Sequence, residues 1–101
     1  MNSETTKISK IAIFQKKEIR KIIHKNEWWF SVVDIIEALT GTDRSRKYWS
    51  DLKKKLVNEG FFEVSEKIGQ LKLVAPDGKI RETDCANTET VFRIIQAIPS
   101  P

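Results

Sequence analysis

Residues 43 to 58, DRSRKYWSDLKKKLVN, constrain this chain more than any other stretch. Wound at about 100° per residue, the segment separates into two faces. Tyr48, Trp49, Leu52 and Leu56 fall on one side, while Arg46, Lys47, Ser50, Lys53 and Lys54 fall on the other. The pattern predicts an amphipathic helix that docks its apolar side on a core and turns cations towards solvent or a polyanion. Six basic residues (Arg44, Arg46, Lys47, Lys53, Lys54, Lys55) against two acids (Asp43, Asp51) give this segment +4, equal to the net charge of the whole chain.

The charge is unevenly placed. Residues 7 to 25 hold seven cations (Lys7, Lys10, Lys16, Lys17, Arg20, Lys21, Lys25) and one acid (Glu18), or +6; outside this stretch and residues 43 to 58, the chain sums to −6. A pI near 9.3 makes an anionic partner plausible, nucleic acid being the commonest large one. A length of 101 residues fits one domain, and 40% apolar residues suffice for a core. The 32% charged fraction is mixed in sign, which argues against wholesale disorder.

Cys85 is the only cysteine and His24 the only histidine. No internal disulfide can form, a reducing cytoplasmic setting is expected, and Cys85 reads as a small buried apolar residue. The polar opening MNSETTKISK, and the lack of any apolar run near the ~20 residues of a membrane span, predict no signal peptide, anchor or membrane partner.

Along the chain, residues 1–10 read as a flexible tail and 11–101 as the domain. Ile11 to Phe14 reads as a strand, Lys16-Lys17 as a turn, Ile19 to His24 as the partner strand and Asn26-Glu27 as a second turn before Trp28-Trp29-Phe30. Ser31 occupies an N-cap position with Asp34 three residues on, a capping-box arrangement opening a buried helix to Leu39. Gly41 suits the left-handed end of that helix, and Asp43 reads as the cap of the basic one. Gly60 marks the end of the basic helix. Phe61 to Lys67 reads as an irregular connection with two aromatics in the core. Ile68 to Val74 alternates as a strand, Pro76-Asp77-Gly78-Lys79 is a turn, and Ile80 to Cys85 returns as the second strand. Asn87 or Thr88 caps a last helix that Pro99 stops. The order β-β-β-α-α-β-β-α predicts an α+β fold: small antiparallel hairpins packed on a buried helix, a basic amphipathic helix and a C-terminal helix. A buried helix, a short turn and a basic helix are the parts of a helix-turn-helix reader, and a following hairpin is how a winged variant is organised.

Catalytic patterns are missing. The chain contains no phosphate-binding glycine loop, nucleophile elbow or zinc-protease motif. One histidine and one cysteine do not make a structural zinc site. Asp34 and Glu37 read as a cap and a solvated face, not as the carboxylate cluster that metal-dependent nucleases need. The expectation is a non-enzymatic domain with no cofactor, no metal and no small-molecule substrate.

The segment Glu27-Trp28-Trp29-Phe30-Ser31-Val32-Val33-Asp34-Ile35-Ile36-Glu37-Ala38-Leu39 resembles the N-terminal domain of the BRO family, found in baculovirus repeated-ORF proteins and phage antirepressors. Trp29-Phe30, Asp34 and Ala38-Leu39 carry the likeness. Asn87 to Ile95 resembles the family's closing helix through Asn87 and Arg93, and the hairpin around Pro76 to Lys79 falls where the family has one. The likeness covers about residues 11 to 98. It departs at Gly41-Thr42, where Gly-Tyr is usual, and at Val91-Phe92 in place of Leu-Tyr. It implies an excised domain of a longer phage- or prophage-type regulator that binds DNA.

The resemblance supplies no contact residues, so charge must. On the basic helix these are Arg46, Lys47, Ser50, Lys53 and Lys54, and Lys16, Lys17, Arg20 and Lys21 could extend the surface from the neighbouring hairpin. Lysines act as point charges on phosphates, whereas Arg46 suits a bidentate guanine contact. Few acids compensate this helix, although a solubilising face normally intersperses Glu with Lys. Of the aromatics, Trp28 is expected to be exposed and Trp29 to point the other way. Two roles remain open: a double-stranded DNA-binding domain, or a protein-interaction module that engages a repressor or another copy of itself.

Overall fold

A computed structural model describes residues 18–99. The elements are β1 (Lys21–His24), β2 (Glu27–Ser31), α1 (Val32–Thr40), α2 (Ser45–Asn58), α3 (Phe62–Glu66), β3 (Gly69–Val74), β4 (Ile80–Asn87) and α4 (Thr88–Ala97). The fold is α+β, a four-stranded antiparallel sheet in the order β1-β2-β4-β3 with helices packed against it. The expected tail, the strand at Ile11 to Phe14 and the Lys16-Lys17 turn lie outside the described residues.

Each hairpin follows from its turn chemistry. Lys25 and Asn26 both adopt positive φ (52° and 63°), the handedness that lets a two-residue turn match strand twist. The turn is therefore Lys25-Asn26, one residue earlier than the expected Asn26-Glu27. The β3–β4 turn closes with Gly78 at φ 84°, with the Ala75 amide donating to the Lys79 carbonyl at 2.7 Å and Asp77 Oδ1 accepting from the Lys79 amide at 3.0 Å. Across the sheet, the Trp29 ring lies against Gly69, where an added Cβ would come within 3.0 Å of it.

β2 runs directly into α1, whose Val32, Ile35, Ile36 and Ala38 are buried around most of the turn. Gly41 ends it in the left-handed region (φ 71°), its amide donating to the Glu37 carbonyl. Ser31 stands at the N-cap position but makes no side-chain cap. Asp34, expected to complete a capping box, accepts three hydrogen bonds from Arg20 instead, from its amide at 2.9 Å, Nε at 2.7 Å and Nη2 at 3.0 Å. A guanidinium fork satisfies both carboxylate oxygens at once, which the neighbouring backbone amides cannot.

The core gathers Phe30 and Ala86 from the sheet, the inner side of α1, Trp49, Leu52 and Leu56 from α2, Val64 from α3, and Val91 and Ile94 from α4. Burying each large apolar side chain contributes about 1.5–3 kcal/mol. Asn87 caps α4, its Oδ1 accepting from the Thr90 amide at 3.0 Å. Phe61 to Lys67 departs from expectation. It forms the short helix α3 and sends Val64 inward, leaving Phe61 and Phe62 exposed. A five-residue helix has one inward side, and the smaller Val64 takes it.

Candidate nucleic-acid interface

α2 is amphipathic as its sequence predicts. Trp49, Leu52 and Leu56 are buried and Tyr48 is half-buried, while Arg46, Lys47, Ser50, Lys54 and Lys55 are exposed. Its first turn is held differently from expectation. Arg44 occupies the cap position, Thr42 Oγ1 accepts from the Arg44 amide at 3.0 Å, and Asp43 does not cap. Residues 41–44 form the turn between α1 and α2, so a buried helix does precede a basic one.

The cations fall into two groups. Among the described residues, Arg46, Lys47 and Lys54 have no ion-pair partner, and Asp51 is the only acid on the helix. Lys53 is engaged: its Nζ lies 2.9 Å from Asp84 Oδ2 and 5.4 Å from the Trp49 ring centroid. Arg20, expected to extend the positive surface, is held more completely. Besides Asp34 it donates to the Val74 carbonyl at 3.0 Å and to Ser31 Oγ at 3.3 Å. Lys21 sits 4.8 Å above the exposed Trp28 ring, and Lys16 and Lys17 lie outside the described residues.

Sequence reasoning missed Asp84 because it lies in β4, 31 residues from Lys53 on α2. It accepts from Trp49 Nε1 at 2.8 Å, Lys53 Nζ at 2.9 Å and Gln70 Nε2 at 3.4 Å. Burial pushes its pKa up, but these donors, Trp49 foremost, pull it below the ordinary carboxylate range. Asp84 thus fastens α2 to the β3–β4 hairpin. Between them opens a cleft of about 410 Å³, whose charged lining is Arg20, Arg46, Arg81, Glu82 and Asp84, with Trp49 beside them. Arg46 and Arg20 therefore share one cleft, although Arg20 turns its guanidinium to Asp34. Arg81 pairs with Asp77 at 2.7 Å on the hairpin, and that contact is the first cause of a lowered Asp77 pKa.

Cys85 is wholly buried, and burial raises its thiol to about 11, which removes the thiolate a nucleophile needs. Among the described residues no three His, Cys, Asp or Glu side chains gather as a metal site, and no helix is long and apolar enough to cross a membrane.

A comparison with curated proteins found no match, and neither did one with solved structures. The family model for the BRO family N-terminal domain, generally a DNA-binding domain, matches residues 18–101. With that match over most of its length, and with the Trp29-Phe30, Asp34 and Asn87 positions at the sheet, the Arg20 clamp and the α4 cap, the chain belongs to the BRO family as an N-terminal domain.

Proposed function

We propose that this domain binds double-stranded DNA through the outward side of α2, as part of a phage- or prophage-type antirepressor-like regulator, and that it acts as a binding domain, not an enzyme. One observation carries the reading: Arg46, Lys47 and Lys54 stand exposed and form no ion pair among the described residues, on a helix whose other side is anchored in the core. Holding the helix rigid fixes where those charges project, so a polyanion meets a preset array. Phosphate neutralisation comes first, with Ser50 adding a hydrogen bond and Arg46 offering the geometry for a guanine edge. Each phosphate contact contributes about 0.9 to the slope of log K against log salt.

The test is a gel shift with random duplex across a range of salt. Arg46→Ala/Lys47→Ala/Lys54→Ala should flatten the slope by about 2.7 and weaken binding about a hundredfold at moderate salt. Its melting temperature should stay that of the parent, since none of the three is buried. Parent-like affinity in this variant would sink the proposal. A second reading, engagement of a repressor or of another copy, is favoured by an open groove of about 540 Å³ between α2, α3 and α4, where Phe61 meets Leu56 and Val64. No duplex binding at low salt, with capture of a repressor, would move the conclusion there.

A further inference from the structure

β4 is an inner strand of the sheet that outruns one of its neighbours. β3 pairs with its residues 80–85, whereas β2 pairs only with residues 85–87. Residues 80–84 therefore have a partner strand on one side and none on the other. The phase of the hairpin decides which groups are left open. The Ala75 amide donates to the Lys79 carbonyl, and bonded positions alternate along an antiparallel ladder. Arg81 and Thr83 thus turn their amides and carbonyls to β3, while Ile80 and Glu82 turn theirs away. Among the described residues, nothing bonds those outward groups of Ile80 and Glu82. The edge opens into the cleft shared with α2, where Glu82 and Thr83 line one side and Arg46 and Trp49 the other. α2 is tied back at the end where β2 begins, since Trp49 and Lys53 both donate to Asp84. The hairpin is also preorganised. Asp77 ties the turn to both the Lys79 amide and the Arg81 guanidinium. An edge already ordered loses little entropy on binding.

Backbone chemistry decides the occupant. The charges of the cleft are mixed in sign and mostly matched, Arg20 with Asp34, Arg81 with Asp77 and Asp84 with Lys53, so they select no polyanion. The edge instead presents donors and acceptors by turns, repeating about every 7 Å along the strand. An extended polypeptide repeats the same groups at the same spacing, whereas the sugar-phosphate chain of DNA offers acceptors alone. We propose that the open edge of β4 takes an extended peptide segment of a protein partner as an added strand. Its amides and carbonyls pair with those of Ile80 and Glu82. An acidic side chain of the peptide meets Arg46, the arginine of the cleft with no ion pair among the described residues. Strand addition here is independent of DNA contact by α2, and no duplex enters the test.

A phage-displayed library of random short peptides is selected against the full chain, and the enriched peptide is labelled and titrated. Amide hydrogen exchange should find Ile80 and Glu82 unprotected in the unbound chain and protected in the complex, with Arg81 and Thr83 protected in both. Methylating the peptide's backbone nitrogens one at a time should weaken binding about tenfold at every second residue and little in between. Glu82→Pro removes an outward donor and no bond to β3, so it should weaken binding about tenfold. Should that variant melt early, the methylation pattern still decides. Arg46→Ala should weaken binding about threefold. Failure to enrich a peptide, protection that spares Ile80 and Glu82, methylation losses without the two-residue period, or parent-like affinity in Arg46→Ala or in folded Glu82→Pro overturns the proposal. So does a concentration-dependent dimer that protects the same two amides without peptide, which would give the edge to a second copy.

Discussion

Arg20 and Arg46 line the same cleft, yet the fold treats them differently. Arg20 gives its amide, Nε and Nη2 to Asp34 and its Nη1 to the Val74 carbonyl, joining the segment just ahead of β1 to α1 and β3. Arg46 touches no carboxylate and stands exposed. Sequence counts both as +1. What separates them is a carboxylate delivered by tertiary structure, so a basic surface is read by subtracting the cations that buried acids have claimed. Lys53 and Lys54 repeat the lesson one residue apart: Asp84 holds the first and leaves the second.

The largest effect on the fold is expected where the claimed cation is most enclosed. Asp34→Ala leaves the Arg20 guanidinium and amide without their acceptor. Breaking a buried pair costs about 3–5 kcal/mol, and since a quarter of the Arg20 side chain meets water, about 2–3 kcal/mol is expected here. That is a melting temperature lower by about 10–20 °C for a domain of this size. The slope of duplex affinity against salt, measured while the variant is folded, should not change. A shallower slope would mean that Arg20 reaches DNA after all.

Asp84→Asn sharpens the contrast from the other side. Asparagine keeps an oxygen for Trp49 Nε1 but removes the charge that holds Lys53, at a cost of about 1 kcal/mol. Freed Lys53 should then join Lys54, steepening the salt slope by about 0.9. The same carboxylate gives a pH signature. Because its folded pKa lies below its unfolded one, its contribution to stability is present above about pH 4 and is lost as the pH falls through the folded value. Acid titration of stability should therefore be flatter in Asp84→Asn than in the parent, and an identical acid profile would remove Asp84 as the fastening point.

The local signals in the sequence carried well. Gly41, Asn87 and the Pro76-Asp77-Gly78-Lys79 turn act through bonds within a few residues, and each does what its chemistry predicts. The two faces of α2 were legible for the same reason, since helical periodicity is local. Asp34 and Asp84 were not legible, because their partners come from 14 and 31 residues away. A cap was the only role that short-range reasoning could offer Asp34. Phe61 and Phe62 failed differently: aromatic bulk suggested the core, but α3 is too short to turn more than Val64 inward. The candidate interface was thus visible as a supply of charge, while which of those charges stand apart from carboxylates depended on where distant acids came to rest.

Lys21 is the intermediate case and the smallest expected effect. Its ammonium lies 4.8 Å above the Trp28 ring, so it has a partner, but a ring does not neutralise it as a carboxylate would. An exposed contact of this kind is worth about 0.5 kcal/mol, and Lys21→Gln should lower stability by no more than that while shifting Trp28 emission. Its charge still counts towards a polyanion. Lys21 lines an open slot of about 880 Å³ with Lys72, Glu18 and Glu37, and no ion pair joins it to either acid. The variant should therefore flatten the salt slope by about 0.9. If claimed cations are only those joined to carboxylates, Lys21 belongs with Lys54. If the slope holds and only the emission moves, ring contact removes a cation from the surface as fully as Asp34 removes Arg20, and the interface contracts to α2.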